Sequence, residues 1–162
     1  MKVKKLTELA LLTAIALIIF IIELRFPDII PIAGVKLGLA NIITVYAVFH
    51  YKPSETAMLL FCRVLLGAIF SANISALFYS LSGAVMCFVG MLIIKRFISE
   101  NYIWLCSMLG AVFHNIGQIL ASMLVMRSFA VISYLPILII SGCIAGLFTG
   151  LCAEILLKRL QN

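Results

Sequence analysis

Gly110–Gln118 reads GAVFHNIGQ and sits inside the apolar run IWLCSMLGAVFHNIGQILASMLVM, which extends from Ile103 to Met126. At a rise of 1.5 Å per residue, about 20 apolar residues cross the hydrocarbon of a bilayer, so this run is long enough to span one. Within it, His114, Asn115 and Gln118 place three strong hydrogen-bonding side chains on about one helical turn. Each costs free energy in lipid unless it finds a partner, so the three should face a protein interior or a wet cavity. Ala111, Asn115, Gln118 and Ser122 follow a 4, 3, 4 spacing and form one helical stripe, with His114 beside it. Interhelical polar contacts would contribute about 0.6 kcal/mol each. A stripe this long and dense reads instead as a ligand site.

The composition around this run agrees with a membrane setting. Of 162 residues, 65% are hydrophobic and 11% charged, and the mean hydropathy is +1.25. Soluble domains carry roughly 25% charged and about 45–50% apolar residues, so this inventory cannot build a water-soluble surface. The 12 basic and 6 acidic residues sit mostly in short clusters between apolar runs. The expected fold is therefore an all-α integral membrane protein: one transmembrane domain over residues 1–162, with six helices near 6–24, 37–50, 55–72, 75–94, 102–126 and 131–157. Connections are short, which makes successive helices antiparallel neighbours. The first run follows Lys2, Lys4 and Lys5 as a secretory leader would. It is expected to be retained, because Glu23, Leu24, Arg25, Phe26 and Pro27 follow its apolar core without a small-x-small cleavage pattern.

Lys and Arg counts set the orientation. With the N-terminus cytoplasmic, Lys2, Lys4, Lys5, Lys52, Lys95, Arg96, Lys158 and Arg159 lie inside, against Arg25, Lys36 and Arg127 outside. That asymmetry favours cytoplasmic N- and C-termini in a bacterial cytoplasmic membrane. The net charge of +6 then anchors the chain to anionic lipid and calls for no nucleic-acid partner. Tyr51, Tyr102 and Trp104 fit the interfacial aromatic belt.

The second span is short, 14 residues from Leu37 to His50. Two completions are open: the proline-punctuated stretch PDIIPIAGVK folding back over the outer mouth, or a tilted helix that begins near Ile32. In the last span Gly142, Gly146 and Gly150 repeat every four residues and offer a flat face to another helix, internal or from a second subunit. Ala10 and Ala14 form a small-xxx-small pair in the first.

Catalytic and metal chemistry have little support. Cys62, Cys87, Cys106, Cys143 and Cys152 all fall in spans without a CxxC pair and read as small buried hydrophobes. His50 and His114 lie on different spans, with no ligand spacing around either, so no metal or cofactor is expected. The acids form no pair on a helix face, and neither GxxxxGK[ST] nor GxSxG occurs. The chain is expected not to be an enzyme, and any uphill transport must be powered by a partner or an ion gradient. Arg63 lies mid-span, where insertion costs roughly 2.5–3.5 kcal/mol. A ligand anion or a set of neighbouring helix carbonyls could each satisfy its fork. Asn41, Thr44, Asn73, Ser75, Tyr79, Ser80 and Ser82 are further candidate lining residues.

Four segments in order, GVKLGLANIITVYA (Gly34 to Ala47), CRVLLGAIFS (Cys62 to Ser71), FYSLSGAVM (Phe78 to Met86) and GAVFHNIGQ, resemble the Gx transporter family. That family also carries the name heptaprenyl diphosphate synthase component I, and it looks like the substrate-binding S components of energy-coupling factor (ECF) transporters. The resemblance implies six helices with cytoplasmic termini, an outward-facing pocket, and a first helix that docks a transmembrane coupling subunit. Carried onto this chain, it implies Lys36, Asn41, Arg63, His114, Asn115 and Gln118 as ligand-binding residues and Ala10 and Ala14 as the docking surface. The implied partners are a small cofactor- or vitamin-like molecule, the lipid bilayer, and the ECF coupling and ATPase subunits. Prenyl elongation needs aspartate-rich magnesium sites, which this sequence lacks. The alternative function is a non-transporting accessory or scaffold protein of a prenyl-quinone or extracellular electron-transfer system.

Overall fold

A computed structural model describes residues 3–25, 38–71, 74–98 and 102–161, apart from the side chains of 74–76 and 161. Among the described residues it holds six α-helices: α1 Val3–Arg25, α2 Asn41–His50, α3 Pro53–Ser71, α4 Ile74–Ile94, α5 Ile103–Met126 and α6 Leu135–Gln161. Five of them are long and apolar enough to cross a membrane, and α2 is the shorter apolar one. The chain is an all-α, multi-pass membrane protein.

Local chemistry explains the helix ends. Pro53 opens α3, where its missing N–H costs nothing, and Glu55 Oε2 reaches back to accept the Lys52 N–H at 3.0 Å. α5 ends where Arg127 turns left-handed at φ 49°. The sixth span was expected to be helical from 131. Instead Ser128 Oγ accepts the Ala130 N–H at 3.3 Å and starts a 3-10 segment, Phe129–Tyr134, and the α-helix begins at Leu135 with Pro136 in its first turn. The last helix continues beyond the expected 157 to Gln161, with Lys158 bonded to Glu154 at 2.7 Å one turn back.

The largest departure from expectation is α2. It does not begin at Leu37. Gly38 adopts φ +65°, a region open to glycine. The turn through Leu39 and Ala40 is closed by Asn41 N–H to Gly38 O at 2.8 Å and Ile42 N–H to Leu39 O at 3.1 Å. The helix is 10 residues long, about 15 Å at 1.5 Å per residue, or half the depth of a bilayer core. Its middle is buried on every side: six consecutive residues, Ile43 to Val48, are buried. α1, α3, α4 and α6 surround it. The stretch PDIIPIAGVK, which either completion of this span would use, lies outside the described residues.

α2 is fixed at its far end. Thr56 Oγ1 donates to Ala47 O at 3.0 Å, and Lys95 Nζ donates to Val48 O at 2.8 Å and Phe49 O at 3.5 Å. A cation at these last carbonyls also complements the helix dipole. Together with the Lys5–Glu55 ion pair at 2.8 Å, these contacts show that the starts of α1 and α3 and the ends of α2 and α4 share one face of the bundle. Trp104, at the start of α5, packs there against Gly150 of α6. This face carries Lys4, Lys5, Lys52, Lys95, Arg96, Lys158 and Arg159, and we refer to it as the basic end.

α4, α5 and α6 pack in succession, with α5 in the middle. The glycine face of α6 points inward at α5: a Cβ on Gly142, Gly146 or Gly150 would come within 2.5 to 2.7 Å of Asn115, Met108 and Trp104. The neighbour left open by the sequence is thus internal. Such close approach maximises van der Waals contact, which drives helix association where lipid removes the hydrophobic term.

Candidate functional site

Because α2 fills only half the depth of the bundle, space remains above its N-terminus. A cavity of about 660 Å³ occupies it, within the usual range of ligand sites of about 300–1,000 Å³. All six helices line it, and each brings at least one polar side chain: Glu23 from α1, Asn41 and Thr44 from α2, Arg63 from α3, Tyr79 and Ser80 from α4, His114, Asn115 and Gln118 from α5, and Ser141 and Thr149 from α6. It sits toward the end opposite the basic one, near the last residues of α1 and α3, and reaches inward to Met91, Ser107 and Thr149.

Arg63 is the best-connected group in the site. Its Nη1 donates to Thr44 Oγ1 at 2.7 Å, Asn41 Oδ1 at 3.1 Å and Ala40 O at 3.3 Å, all around the first turn of α2. The two roles open in the sequence are therefore compatible. One nitrogen of the fork braces α2, and the residue still lines the cavity. Nearby, the Glu23 carboxylate accepts the Gly38 backbone N–H.

The α5 stripe divides by function. Gln118 lines the cavity with its stem against Gly83 of α4, and the His114 ring lies against the same glycine. Asn115 does two things: it lines the cavity, and its Nδ2 donates to Leu138 O of α6 at 2.5 Å. Only 8% of Asn115 is exposed, so it is partly the interhelical contact that the sequence set against a ligand role. Ser82, a candidate lining residue, is wholly such a contact, since its Oγ donates to Gly117 O at 2.7 Å. Deeper in the bundle, Ser107 and Thr149 share a hydrogen bond of 3.1 Å.

Of the ligand-binding residues expected from the sequence, Asn41, Arg63, His114, Asn115 and Gln118 line this one cavity. Lys36 and Asn73 lie outside the described residues, as does the Ser75 side chain. Ala10 and Ala14 are exposed on the outer face of α1, away from its buried face of Leu9, Thr13 and Ala16. Sequence reasoning missed Glu23, which it took as the polar end of a span beside Arg25. It also missed Ser141, Ser107 and Thr149, since one hydroxyl in a membrane helix is ordinarily satisfied by a backbone carbonyl. Their partners across the bundle are 42 residues apart in the case of Ser107 and Thr149, and no local pattern carries that pairing.

A family model described as heptaprenyl diphosphate synthase component I matches residues 12–156. Comparison with curated proteins gives no match, and neither does comparison with solved structures. The matched stretch runs from within α1 to near the end of α6 and takes in every helix that lines the cavity. The chain belongs to the heptaprenyl diphosphate synthase component I family.

Proposed function

We propose that the chain is the substrate-binding membrane subunit of an ECF-type importer in a bacterial cytoplasmic membrane. It captures a small, cofactor- or vitamin-like molecule from outside for uptake powered by a separate ATPase module. The observation that carries this reading is the cavity: a space of about 660 Å³ inside a membrane bundle, into which all six helices direct polar side chains. Polar groups at membrane depth are costly and typically mark a substrate pathway. With the basic end on the cytoplasmic side, the cavity lies in the outer half, where an importer first meets its substrate.

The word synthase in the family name is not supported by the cavity chemistry. Glu23 is the one carboxylate among the described lining residues, whereas magnesium-dependent chemistry on a diphosphate draws on carboxylates to hold the metal. Binding without catalysis is the simpler role. The exposed Ala10 and Ala14 on α1 are small residues that permit close approach of a partner helix. They are the proposed contact with the coupling subunit.

The test is mass spectrometry of the small molecules released from gently purified wild-type chain and from Gln118→Leu. Gln118 is the better probe than Asn115, whose loss would also break the contact to Leu138. A polar compound released by the wild type and lost from Gln118→Leu supports the binding subunit. Phospholipid or isoprenoid alone from both would replace it with the scaffold role.

A further inference from the structure

The cavity contains one guanidinium and one carboxylate among its described lining residues, and the same short turn keeps them apart. Glu23 takes the Gly38 N–H at the start of that turn. Arg63 takes Ala40 O and the side chains of Asn41 and Thr44 at its end. Among the described residues all of Arg63's acceptors are neutral, Ala40 O, Asn41 Oδ1 and Thr44 Oγ1. Neither ion pair found among the described residues involves Glu23 or Arg63.

Opposite charges in a low-dielectric enclosure attract strongly and would ordinarily close on each other. Here the turn from Gly38 to Asn41 supplies each with a backbone partner of the right polarity, an N–H for the carboxylate and a C=O for the guanidinium. The pair is thereby presented to the cavity as two separate poles. Arg63 commits only Nη1 to these bonds, and a planar fork can still offer parallel N–H groups to a carboxylate.

We propose that the cavity takes a small zwitterion, with one carboxylate seated against the free side of the Arg63 fork and one ammonium or other donor-rich group directed at Glu23. This rests on the binding-subunit reading above and specifies its substrate class. The charge inventory disfavours the diphosphates that the family name evokes. A diphosphate would bring at least two negative charges to a site whose described lining holds a single guanidinium and a carboxylate.

The experiment incubates detergent-purified full-length chain with a defined equimolar mixture of amino acids, betaines, monocarboxylates, primary amines, nucleoside diphosphates and isoprenoid diphosphates. Compounds retained after rapid gel filtration are identified by mass spectrometry. Wild type, Glu23→Gln and Arg63→Met are compared, each shown to be folded by its thermal unfolding transition. The expected result is selective retention of zwitterions by the wild type, with at least a tenfold loss in each variant. The residual preference should move toward monocarboxylates in Glu23→Gln and toward amines in Arg63→Met. Retention of diphosphates or of plain monocarboxylates by the wild type would overturn the zwitterion assignment and leave the binding role standing. Retention of nothing by folded wild type would overturn the zwitterion assignment, and the release experiment above then decides the binding role.

Discussion

The two halves of the bundle are held together by different physics. In α4, α5 and α6, backbone approaches backbone: a Cβ on Gly117 would lie 2.7 Å from Ser82 O and 2.9 Å from Gly83 Cα, and one on Gly150 2.5 Å from Trp104 Cα. In α1, α2 and α3, the one helical glycine, Gly67, faces only the Phe20 ring, at 3.1 Å. That half packs through side chains, around Leu9, Ala16, Ile43, Ala47 and Leu59, and is pinned by polar contacts: Lys5 to Glu55, Thr56 to Ala47, and Arg63 to the start of α2. Dense glycine packing makes a wall with one arrangement, whereas side-chain tethers can be exchanged for ligand contacts. The cavity lies between the two and draws its uncharged polar stripe from the first half and, among the described residues, both of its charges from the second.

The sharpest break of this contrast is the same substitution made in each half. Gly117→Ala forces two backbones apart and should cost about 1–3 kcal/mol, as overpacking does. Gly67→Ala need only displace a side-chain ring, and the helix propensity gained, about 0.5–1 kcal/mol, offsets much of that. Thermal unfolding in detergent, followed by circular dichroism, reads both; equal losses would erase the distinction between the halves.

A smaller effect is expected from Asn115→Ala, which removes the bond to Leu138 O. Ser141 Oγ donates to that same carbonyl at 3.1 Å, so the acceptor keeps a side-chain partner. The stability loss should stay near the average for membrane polar contacts, about 0.6 kcal/mol. A loss several times larger would mean that Asn115 is chiefly a brace and not a cavity residue.

The smallest change should come from Lys5→Ala. The Lys5–Glu55 pair sits at the basic end with the lysine side chain 35% exposed, and exposed pairs contribute about 0.2–1 kcal/mol. That contribution should shrink further in high salt. A salt-insensitive loss above this range would show that the tethered half depends on its latch as strongly as the other half does on glycine.

How much of this was legible in the sequence follows from the range of each signal. Hydropathy and charge clusters marked six spans, because lipid imposes those rules locally. The 4-residue glycine repeat of α6 and the polar stripe of α5 were visible as helical periodicity, and the structure turns the repeat toward α5 and Ala111, Asn115 and Gln118 of the stripe, though not Ser122, toward the cavity. The start of α2 was misjudged by four residues, since only the left-handed turn at Gly38 distinguishes it from the apolar sequence before it. Glu23 drew notice only as the first polar residue after an apolar core, because its partner, the Gly38 N–H, lies 15 residues away. Whether Asn115 faces a ligand or a neighbouring helix was equally beyond reach, since Leu138 is 23 residues on.

Arg63 joins the two halves of this account, and replacing it tests the central claim most directly. Arg63→Met should be measured for thermal stability and for retention of the small molecule on the same preparation. Methionine removes the desolvation cost of a buried charge but leaves Ala40 O, Asn41 Oδ1 and Thr44 Oγ1 without this donor. The expected result is therefore a lowered unfolding temperature in a chain that still folds, with retention reduced at least tenfold. A lowered unfolding temperature with retention intact would contradict the claim, and would make Arg63 a brace for α2 alone.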